Sequence, residues 1–293
     1  MKTFKAARWA LFPAAAVGLA LYSLWVIYPI IASAVTSLTN ASPLKTSTDF
    51  VGLANYAQMQ TDARLHRSFT FTLIVVIVST IGSNVIGLAF ALLLNGPGRS
   101  YKVMRMLAFI PQVLSGVVVA FIWRSILNQG GLLNTWLINL GVMDQAIPWI
   151  GTPNLATFSV CVVVTWVNTA FATVVYTASL QSVPEELVDA AIVDGAGWLS
   201  RFWNVTWPLI APGTTISITL SLITSLKLYD VLAVLTGGGP ANQTNSVAYY
   251  LIQVAFTGNR FGYGSAIGIL LLAITAVTSF VSTGLLRRRE AKL

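Results

Sequence analysis

Charged side chains are scarce in this sequence. Asp, Glu, Lys and Arg make up 9% of the 293 residues, whereas 56% are hydrophobic. So few charges cannot cover the surface of a soluble globule of this length, which excludes water as the main solvent. Cysteine and histidine occur once each, as Cys161 and His66. One cysteine excludes a disulfide within the chain, and one histidine excludes an H-E-x-x-H zinc site.

The sequence also lacks motifs for nucleotide hydrolysis or for nucleophilic catalysis. The stretch that comes nearest to a phosphate-binding loop, residues 96–102, lacks the second glycine of G-x-x-x-x-G-K-[ST], which excludes ATP hydrolysis by that route. No G-x-S-x-G context supplies a serine to pair with His66, which we expect to be a solvated residue of the first outer loop. The sequence therefore predicts no catalytic residue, no metal site and no cofactor bound by this chain.

Long apolar segments dominate what is present. A helix needs about 20 mostly apolar residues to cross the roughly 30 Å hydrocarbon layer of a bilayer. Six segments of that length occur, at Trp9–Leu38, Ser68–Leu94, Met106–Leu127, Ala156–Gln181, Leu209–Thr236 and Phe261–Leu286. The sequence therefore predicts an all-α integral membrane protein with six transmembrane helices. No repeat or flexible linker divides the chain, so residues 1–293 are predicted to form one transmembrane domain.

Two smaller features modify this picture. The apolar stripes at 132–140 and 247–256 are too short to span a bilayer, and they predict helices that lie along the outer surface. Pro111 lacks a backbone donor, so it is predicted to kink or break the third span, with or without a role in gating.

The distribution of Lys and Arg predicts the orientation. Cytoplasmic loops of membrane proteins carry an excess of these residues. With the N-terminus inside, eleven of the seventeen Lys and Arg lie in the cytoplasm, four lie outside, and Arg124 and Lys227 lie in spans. Both termini are therefore predicted to be cytoplasmic. A basic inner face also accounts for the net charge of +8 without a nucleic-acid partner.

The cytoplasmic loop between the predicted fourth and fifth spans, residues 182–208, contains helix signals. Ser182 and Glu185 have the spacing of a capping box, and Pro184 suits a first helical turn, so a helix is predicted to begin there. Acidic residues occupy its first turns, where the helix dipole favours them, and Gly195 and Gly197 are predicted to end it. A second short helical run follows, with an apolar side formed by Trp198, Phe202 and Val205. Apolar faces on an exposed loop indicate a docking partner.

The same loop resembles the EAA loop of ABC importer permeases, E-A-A-x3-G-x9-I-x-L-P. It reads Asp189-Ala190-Ala191, three residues, Gly195, and nine residues to Val205-x-Trp207-Pro208. The wider stretch Pro184–Ala196 is similar to the carbohydrate-importing branch, and Val51–Tyr56 and Thr236–Pro240 resemble its maltose and glycerol-phosphate type first permease. The loop departs from the pattern with Asp, Val and Trp where the family has Glu, Ile and Leu, and the shorter Asp side chain puts in doubt any contact that needs a Glu.

The resemblance implies a permease subunit of an ATP-driven sugar importer in the bacterial plasma (inner) membrane. Such a subunit contacts membrane lipid, pairs with a second permease, is driven by two ATPase subunits or domains that use ATP and Mg, and receives sugar from an extracytoplasmic binding protein. The resemblance further implies that the loop forms a coupling helix inserted into a cleft of the ATPase. The coupling residues implied in this way are Glu185, Glu186, Asp189, Ala190, Ala191, Gly195 and Pro208.

The predicted fifth span contains two charged residues, Lys227 and Asp230. A lone charge near the bilayer centre costs about 2.5–3.5 kcal/mol on insertion scales, so these residues should face a partner or water. Their spacing of three predicts an ion pair on one helical face, close to the sugar path. In the alternative, Lys227 snorkels outward and Asp230 neutralises it without touching substrate. The residues predicted to line the path are Asn168, Ser221, Thr224, Ser225, Lys227, Tyr229 and Asp230.

Two other classes of function fit the sequence less well than an importer subunit. A secondary transporter or channel for a small polar solute would usually bring more spans or an inverted repeat, and neither is visible in the sequence. An intramembrane enzyme would need a catalytic constellation, which is missing. The sequence does not name the sugar, because permeases with similar motifs handle disaccharides, amino sugars, polyols and glycerol phosphate esters.

Overall fold

The computed structural model describes residues 15–96 and 98–290, and over these ranges the chain is almost entirely helical. Within the described part, the only β pairing is a single antiparallel bridge between Thr39 and Phe50. The helices are α1 Ala15–Thr36, α2 Ala54–Met59, α3 Ala63–Leu93, α4 Arg99–Val113, α5 Gly116–Leu127, α6 Leu132–Asn139, α7 Pro153–Gln181, α8 Glu185–Val193, α9 Trp198–Leu209, α10 Ala211–Leu226, α11 Asp230–Leu235, α12 Val247–Thr257 and α13 Phe261–Glu290.

The helix lengths confirm an all-α membrane protein. Among the described residues, five stretches are long and apolar enough to cross a bilayer, and α9 with α10 would make a sixth if this bent pair counts as one span. The five stretches are Ala15–Thr36, Ala63–Leu93, Gly116–Asn139, Pro153–Gln181 and Phe261–Arg288. The predicted first span begins at Trp9, outside the described residues. Helix α3 begins before its predicted start, so His66 lies exposed on its first turn and not in a loop.

The third predicted span, Met106–Leu127, is wrong as a single helix. Helix α4 continues past Pro111 and ends at Val113, and the chain is extended at Leu114 and Ser115, with ψ of 141° and 147°. The hydroxyl of Ser115 then caps α5 by accepting a hydrogen bond from the Val118 amide at 3.4 Å. Pro111 has no amide hydrogen to bond to the preceding turn, but α4 continues for two residues beyond it. The position of the break is therefore set by Ser115, the residue that caps the start of α5.

The fifth predicted span, Leu209–Thr236, is also wrong as a single helix. Helices α9 and α10 meet at Ile210 with a bend of 69°. Pro212 lies in the first turn of α10 and has no amide hydrogen for the preceding turn, which accounts for the bend. At the other end α10 stops at Leu226, and α11 starts only at Asp230.

The chain packs as two compact units, of which the larger comprises Ala63–Tyr250 and residues 273–290. Its main hydrophobic cluster joins α3, α5, α7 and α11, through buried residues such as Val75, Val119, Val163 and Leu232. A side-chain β carbon at Gly87 would lie 2.6 Å from that of Ala172, so a residue larger than glycine would separate α3 from α7. Small residues allow this close approach between membrane helices, whose association gains little from hydrophobic burial in lipid.

The smaller unit comprises residues 15–62 and Leu251–Leu272. The chain between α1 and α3 is tied down by Asn55, whose side-chain amide donates to the carbonyls of Ser37 and Thr39 at 2.8 Å each. The amide of Gly262 donates to the Ala41 carbonyl at 3.0 Å. A β carbon at Gly262 would lie 2.0 Å from the Thr39 carbonyl oxygen, so glycine is needed for this approach.

Candidate coupling loop and transport path

Helix α8 of the predicted coupling loop ends in a complete Schellman motif. Gly195 has φ of +77°, a left-handed conformation that glycine adopts without a steric penalty. The Ala196 amide donates to the Ala191 carbonyl at 2.9 Å, and the Gly195 amide donates to the Ile192 carbonyl at 3.0 Å. These two bonds satisfy carbonyls that the end of a helix leaves free. The prediction that Gly195 ends this helix is confirmed.

The start of α8 differs from the predicted capping box. Pro184 is the N-cap residue and makes no side-chain cap, and α8 begins at Glu185. The Ser182 hydroxyl donates to the Ser179 carbonyl at 2.7 Å, so it closes α7 and does not cap α8. The prediction that Ser182 caps the helix is wrong, because Ser182 follows α7 directly and its hydroxyl is used there.

The side chains of α8 are accessible along its length. No residue of this helix is buried, including its acidic residues Glu185, Glu186 and Asp189. Its apolar residues are also accessible: Leu187 is 47% exposed and Val193 is 87% exposed. Of the two alanines of the motif, Ala190 is exposed and Ala191 is half-buried. A short amphipathic helix with no buried face is marginal by itself, so this helix requires a surface to pack against.

A cluster of aromatic rings follows α8. Trp198 stacks on Phe202 with ring centroids 6.2 Å apart, as expected from their spacing, and Trp203 meets Phe202 edge to face at 5.2 Å. Trp207 lies 5.9 Å from Trp203 and 6.0 Å from Phe202, and Pro208 follows it in the last turn of α9. A π-helical turn at Phe202–Thr206 widens the helix here and sets Trp203 against its neighbours. Helical spacing alone did not predict the part that Trp203 plays in this cluster.

Three side chains form a polar cluster between α3, α7 and α10. The hydroxyls of Ser79 and Ser225 are hydrogen-bonded at 2.9 Å, and the Asn168 amide donates to the Ser225 oxygen at 3.2 Å. Ser221 is buried and its hydroxyl has no hydrogen-bond partner in the described structure. Thr224 is exposed and donates to the Leu220 carbonyl of its own helix at 2.9 Å. The structure thus brings Asn168 and Ser225 together, with Ser79 as a third member that the sequence did not indicate.

The predicted ion pair between Lys227 and Asp230 is wrong. Lys227 caps the end of α10 and Asp230 is the first residue of α11, so the two residues do not share a helical face. Both are exposed, and among the described residues they make no ion pair with each other. Their spacing of three predicts a contact only within a continuous helix, and this span is broken between them.

The Asp230 carboxylate packs against the first turn of α5. A β carbon at Gly116 would lie 2.0 Å from Asp230 Oδ2, so only glycine leaves room for the carboxylate there. The start of a helix carries a partial positive charge, which favours an anion at this place. Arg124, further along α5, donates from Nη1 to the Val234 carbonyl near the end of α11, at 3.1 Å. Arg124, the single charged residue of the predicted third span, is thereby satisfied by a helix end.

Tyr229 lies in the break between α10 and α11. Its ring is 39% exposed and lies 5.8 Å from the ring of Tyr249. The Tyr249 hydroxyl in turn donates to the Gly237 carbonyl at 3.1 Å, in the turn that follows α11. Gly237 and Gly238 have φ of +60° and +79°, so the chain turns tightly after α11. No group of three His, Cys, Asp or Glu close enough to hold a metal occurs in the described part of the chain.

Long apolar helices with interrupted spans and an accessible loop helix are the architecture of a multi-pass membrane protein. The model of the family described as "binding-protein-dependent transport system inner membrane component" matches residues 83–292. The chain belongs to this family. It is therefore a permease subunit of an ABC importer in the bacterial plasma membrane, and the resemblance seen in the loop is confirmed.

Curated relatives match nearly the whole chain. The multiple sugar-binding transport system permease protein MsmF of Streptococcus mutans is 32% identical, over 94% of each chain. The trehalose/maltose transport system permease protein MalF of Thermococcus litoralis is 32% identical, over 90% of each chain. The sulfoquinovosyl glycerol transport system permease protein SmoG of Agrobacterium fabrum is 30% identical, over 92% of this chain and 88% of the relative.

Solved structures show the same fold. A chain of a bacterial ABC transporter that imports the acidic polysaccharide alginate matches with a TM-score of 0.83 at 18% identity, over 98% of this chain and 99% of the other. A chain of the alginate transporter in complex with pentasaccharide-bound periplasmic protein matches with a TM-score of 0.84 at 18% identity, over 97% and 96% of the two chains. A transport permease is not a class of enzyme, and the family and the curated relatives do not favour a secondary transporter or channel.

Proposed function

We propose that this chain forms one half of the translocation path of an ATP-driven sugar importer. Its partners in this proposal are a second permease, two ATPase subunits or domains, an extracytoplasmic sugar-binding protein and the lipid around it. ATP and Mg act in the ATPase, and this chain binds no cofactor. Sugar is the proposed cargo because the relatives at 30% identity or more are named for sugars or sugar derivatives.

The observation that carries the coupling role is the accessible helix α8. It has a defined end at Gly195, acidic residues in its first turn and no buried residue of its own. Such a helix gains its stability from a partner, and the ATPase is the partner proposed because α8 lies on the predicted cytoplasmic side. Within the motif, Glu185, Glu186 and Asp189 are exposed to meet basic groups of the ATPase, while Ala190 and Ala191 allow close packing. Pro208, half-buried in the last turn of α9, belongs to the base of the loop.

For the substrate path we propose the region around the break in the fifth span. Thr224, Lys227, Tyr229 and Asp230 are exposed there, and hydroxyl, ammonium, aromatic and carboxylate groups together suit a ligand rich in hydroxyls. The cluster of Asn168 and Ser225 lies behind them, with the buried Ser221 on the same helix as Ser225. Asp230 packs on Gly116, so we propose that it holds the break between α10 and α11 in place. Lys227 is then the charged group that we propose contacts the sugar.

Replacing Lys227 with Met tests the path. We expect the concentration of sugar-loaded binding protein for half-maximal uptake to stay unchanged, and the maximal rate or the sugar preference of uptake to change by about tenfold or less, because one hydrogen-bonding group is lost. Uptake would be measured in proteoliposomes that contain both permeases and the ATPase, with basal ATPase activity as the control for assembly. Since the two charges are not paired, adding Asp230→Asn should have an additive effect. Wild-type kinetics in a well-assembled Lys227→Met complex would exclude the substrate role.

A further inference from the structure

The smaller unit contains a cleft, lined by two cationic residues, that the proposed transport path does not use. Its cavity has a volume of about 460 Å³ and lies among residues from the loop after α1 and the turn between α12 and α13. The residues lining it are Asn40, Ala41, Ser42, Leu44, Lys45, Asn55, Gly258, Asn259, Arg260 and Tyr263. Two of these residues are cationic and none is acidic. The lining therefore favours an anionic group.

The Arg260 guanidinium at this cleft is held in place by neutral groups. Its Nη2 donates to Gln58 Oε1 at 2.6 Å, and its Cζ lies 4.7 Å from the centroid of the Tyr263 ring. Tyr263 is itself only 2% exposed, and its hydroxyl donates to Asp62 Oδ2 at 2.6 Å. A cation fixed in this way loses little side-chain entropy when it binds a carboxylate, and its planar donors suit a two-point contact.

The cationic groups of the cleft are not neutralised within the described chain. Arg260 and Lys45 are both exposed, and among the described residues neither is paired with a carboxylate. The carboxylate of Asp49 is bound by the side-chain amide of Asn40 at 2.8 Å, and that of Asp62 by Tyr263. Neither acid lines the cleft. Two cations beside one cavity, neither paired with a carboxylate of the described residues, are the arrangement expected of a surface that binds an acidic partner.

The position of the cleft indicates which partner. It lies between the end of α1 at Thr36 and the start of α13 at Phe261, which is the extracytoplasmic side in the predicted orientation. The family is defined by its dependence on a binding protein, so that side must recognise one. We propose that this cleft binds an acidic side chain of the extracytoplasmic binding protein, with Arg260 and Lys45 as the groups that pair with it. This inference rests on the proposed function.

The test uses the complete transporter, with both permeases and the ATPase, in nanodiscs of phosphatidylcholine. ATPase activity is measured against increasing concentrations of the sugar-binding protein encoded with the permease genes. For the Arg260→Gln/Lys45→Gln double variant, we expect the half-maximal concentration to rise about threefold to tenfold, with basal and maximal activity unchanged. The dependence of that concentration on salt should also be weaker than in the wild type, because fewer charges are screened.

Arg67→Gln is the matched control, since Arg67 is an exposed cation on the same predicted side that does not line the cleft. It should behave like the wild type. A half-maximal concentration and a salt dependence that are unchanged in the double variant would overturn the proposal. An equal effect of Arg67→Gln would also overturn it, by showing that only the overall charge of the face matters.

Two further outcomes are distinguishable. An effect of the double variant that appears only in nanodiscs containing phosphatidylglycerol would assign the cleft to an anionic lipid headgroup and overturn the proposal. If the wild-type complex is not stimulated by any sugar-loaded binding protein, the proposed function itself fails. If the binding protein stimulates the wild type and the double variant at the same half-maximal concentration, the cleft proposal fails and the proposed function stands.

Discussion

Gly195 and Gly197 differ in one property that matters for the coupling loop. Neither glycine would bring an added β carbon within 4 Å of another atom, so both positions have room for a side chain. Gly195, however, has φ of +77°, whereas Gly197 has φ of −65° and ψ of 165°, which any residue adopts. A non-glycine residue in the left-handed region costs about 1–2 kcal/mol. The pair therefore separates backbone strain from crowding.

We expect Gly195→Ala to reduce binding-protein-stimulated ATPase activity severalfold, because the strain is relieved by opening the Schellman end of α8. Gly197→Ala should leave the stimulation near the wild-type value, since its backbone is unstrained. Limited proteolysis of the loop in the purified permease pair would measure the loosening directly. Equal stimulation in the two variants would show that the helix end has no part in coupling.

At the scale of whole elements, α5 and α11 are joined by charges at helix ends. Asp230 packs on the first turn of α5 at Gly116, and Arg124 of α5 bonds to the Val234 carbonyl of α11. Each charge meets the helix end of opposite partial charge, which satisfies it without an ion pair. The two contacts fix the helices on both sides of the break, so we expect α5 and α11 to behave as one body.

Gly116→Ala should therefore lower the thermal stability of the transporter complex by several degrees, because the new methyl group would displace the Asp230 carboxylate. Combining it with Asp230→Ser should recover part of the loss, since the shorter side chain removes the overlap. Gly130→Ala is the control, as nothing lies within 4 Å of an added β carbon there. The measurement is the unfolding midpoint in detergent, and purely additive losses in the double variant would contradict the contact.

At the scale of the whole molecule, this chain exposes apolar surface of several kinds. No residue of α1 is buried, and Trp25 is 74% exposed. Lipid can cover such side chains within a bilayer, but lipid would not cover Leu187 and Val193 on a helix that is predicted to lie in the cytoplasm. The two kinds of surface therefore predict different partners, lipid or the second permease for the spans and the ATPase for α8.

The double variant Leu187→Ser/Val193→Ser should accordingly retain the permease pair and lose the ATPase subunits. Native mass spectrometry of the complex purified through the second permease would show this as a missing mass. Val142→Ser is a matched control, because Val142 is 65% exposed in a segment predicted to lie outside. Retention of the full complex in the Leu187→Ser/Val193→Ser variant would place ATPase docking elsewhere on the chain.

The sequence by itself determined the class of protein, the approximate position of most helices and the end of α8 at Gly195. Each of these depends on neighbours along the chain. The length of a span depends on a run of apolar residues, and the end of a helix depends on a residue that adopts positive φ. Local rules also gave errors at Ser182, whose hydroxyl closes α7 and does not cap α8, and at Lys227 and Asp230, whose predicted pairing fails because the span is broken between them.

Only the tertiary structure decided the partners of the polar side chains. Ser79 bonds to Ser225 across 146 residues, and Arg260 bonds to Gln58 across 202 residues. The placement of Asp230 on Gly116 and the break after Lys227 are of the same kind. No periodicity or spacing encodes such contacts, because they depend on how separate helices pack. The class of this protein follows from local chain chemistry, whereas its candidate sites follow from packing between distant segments.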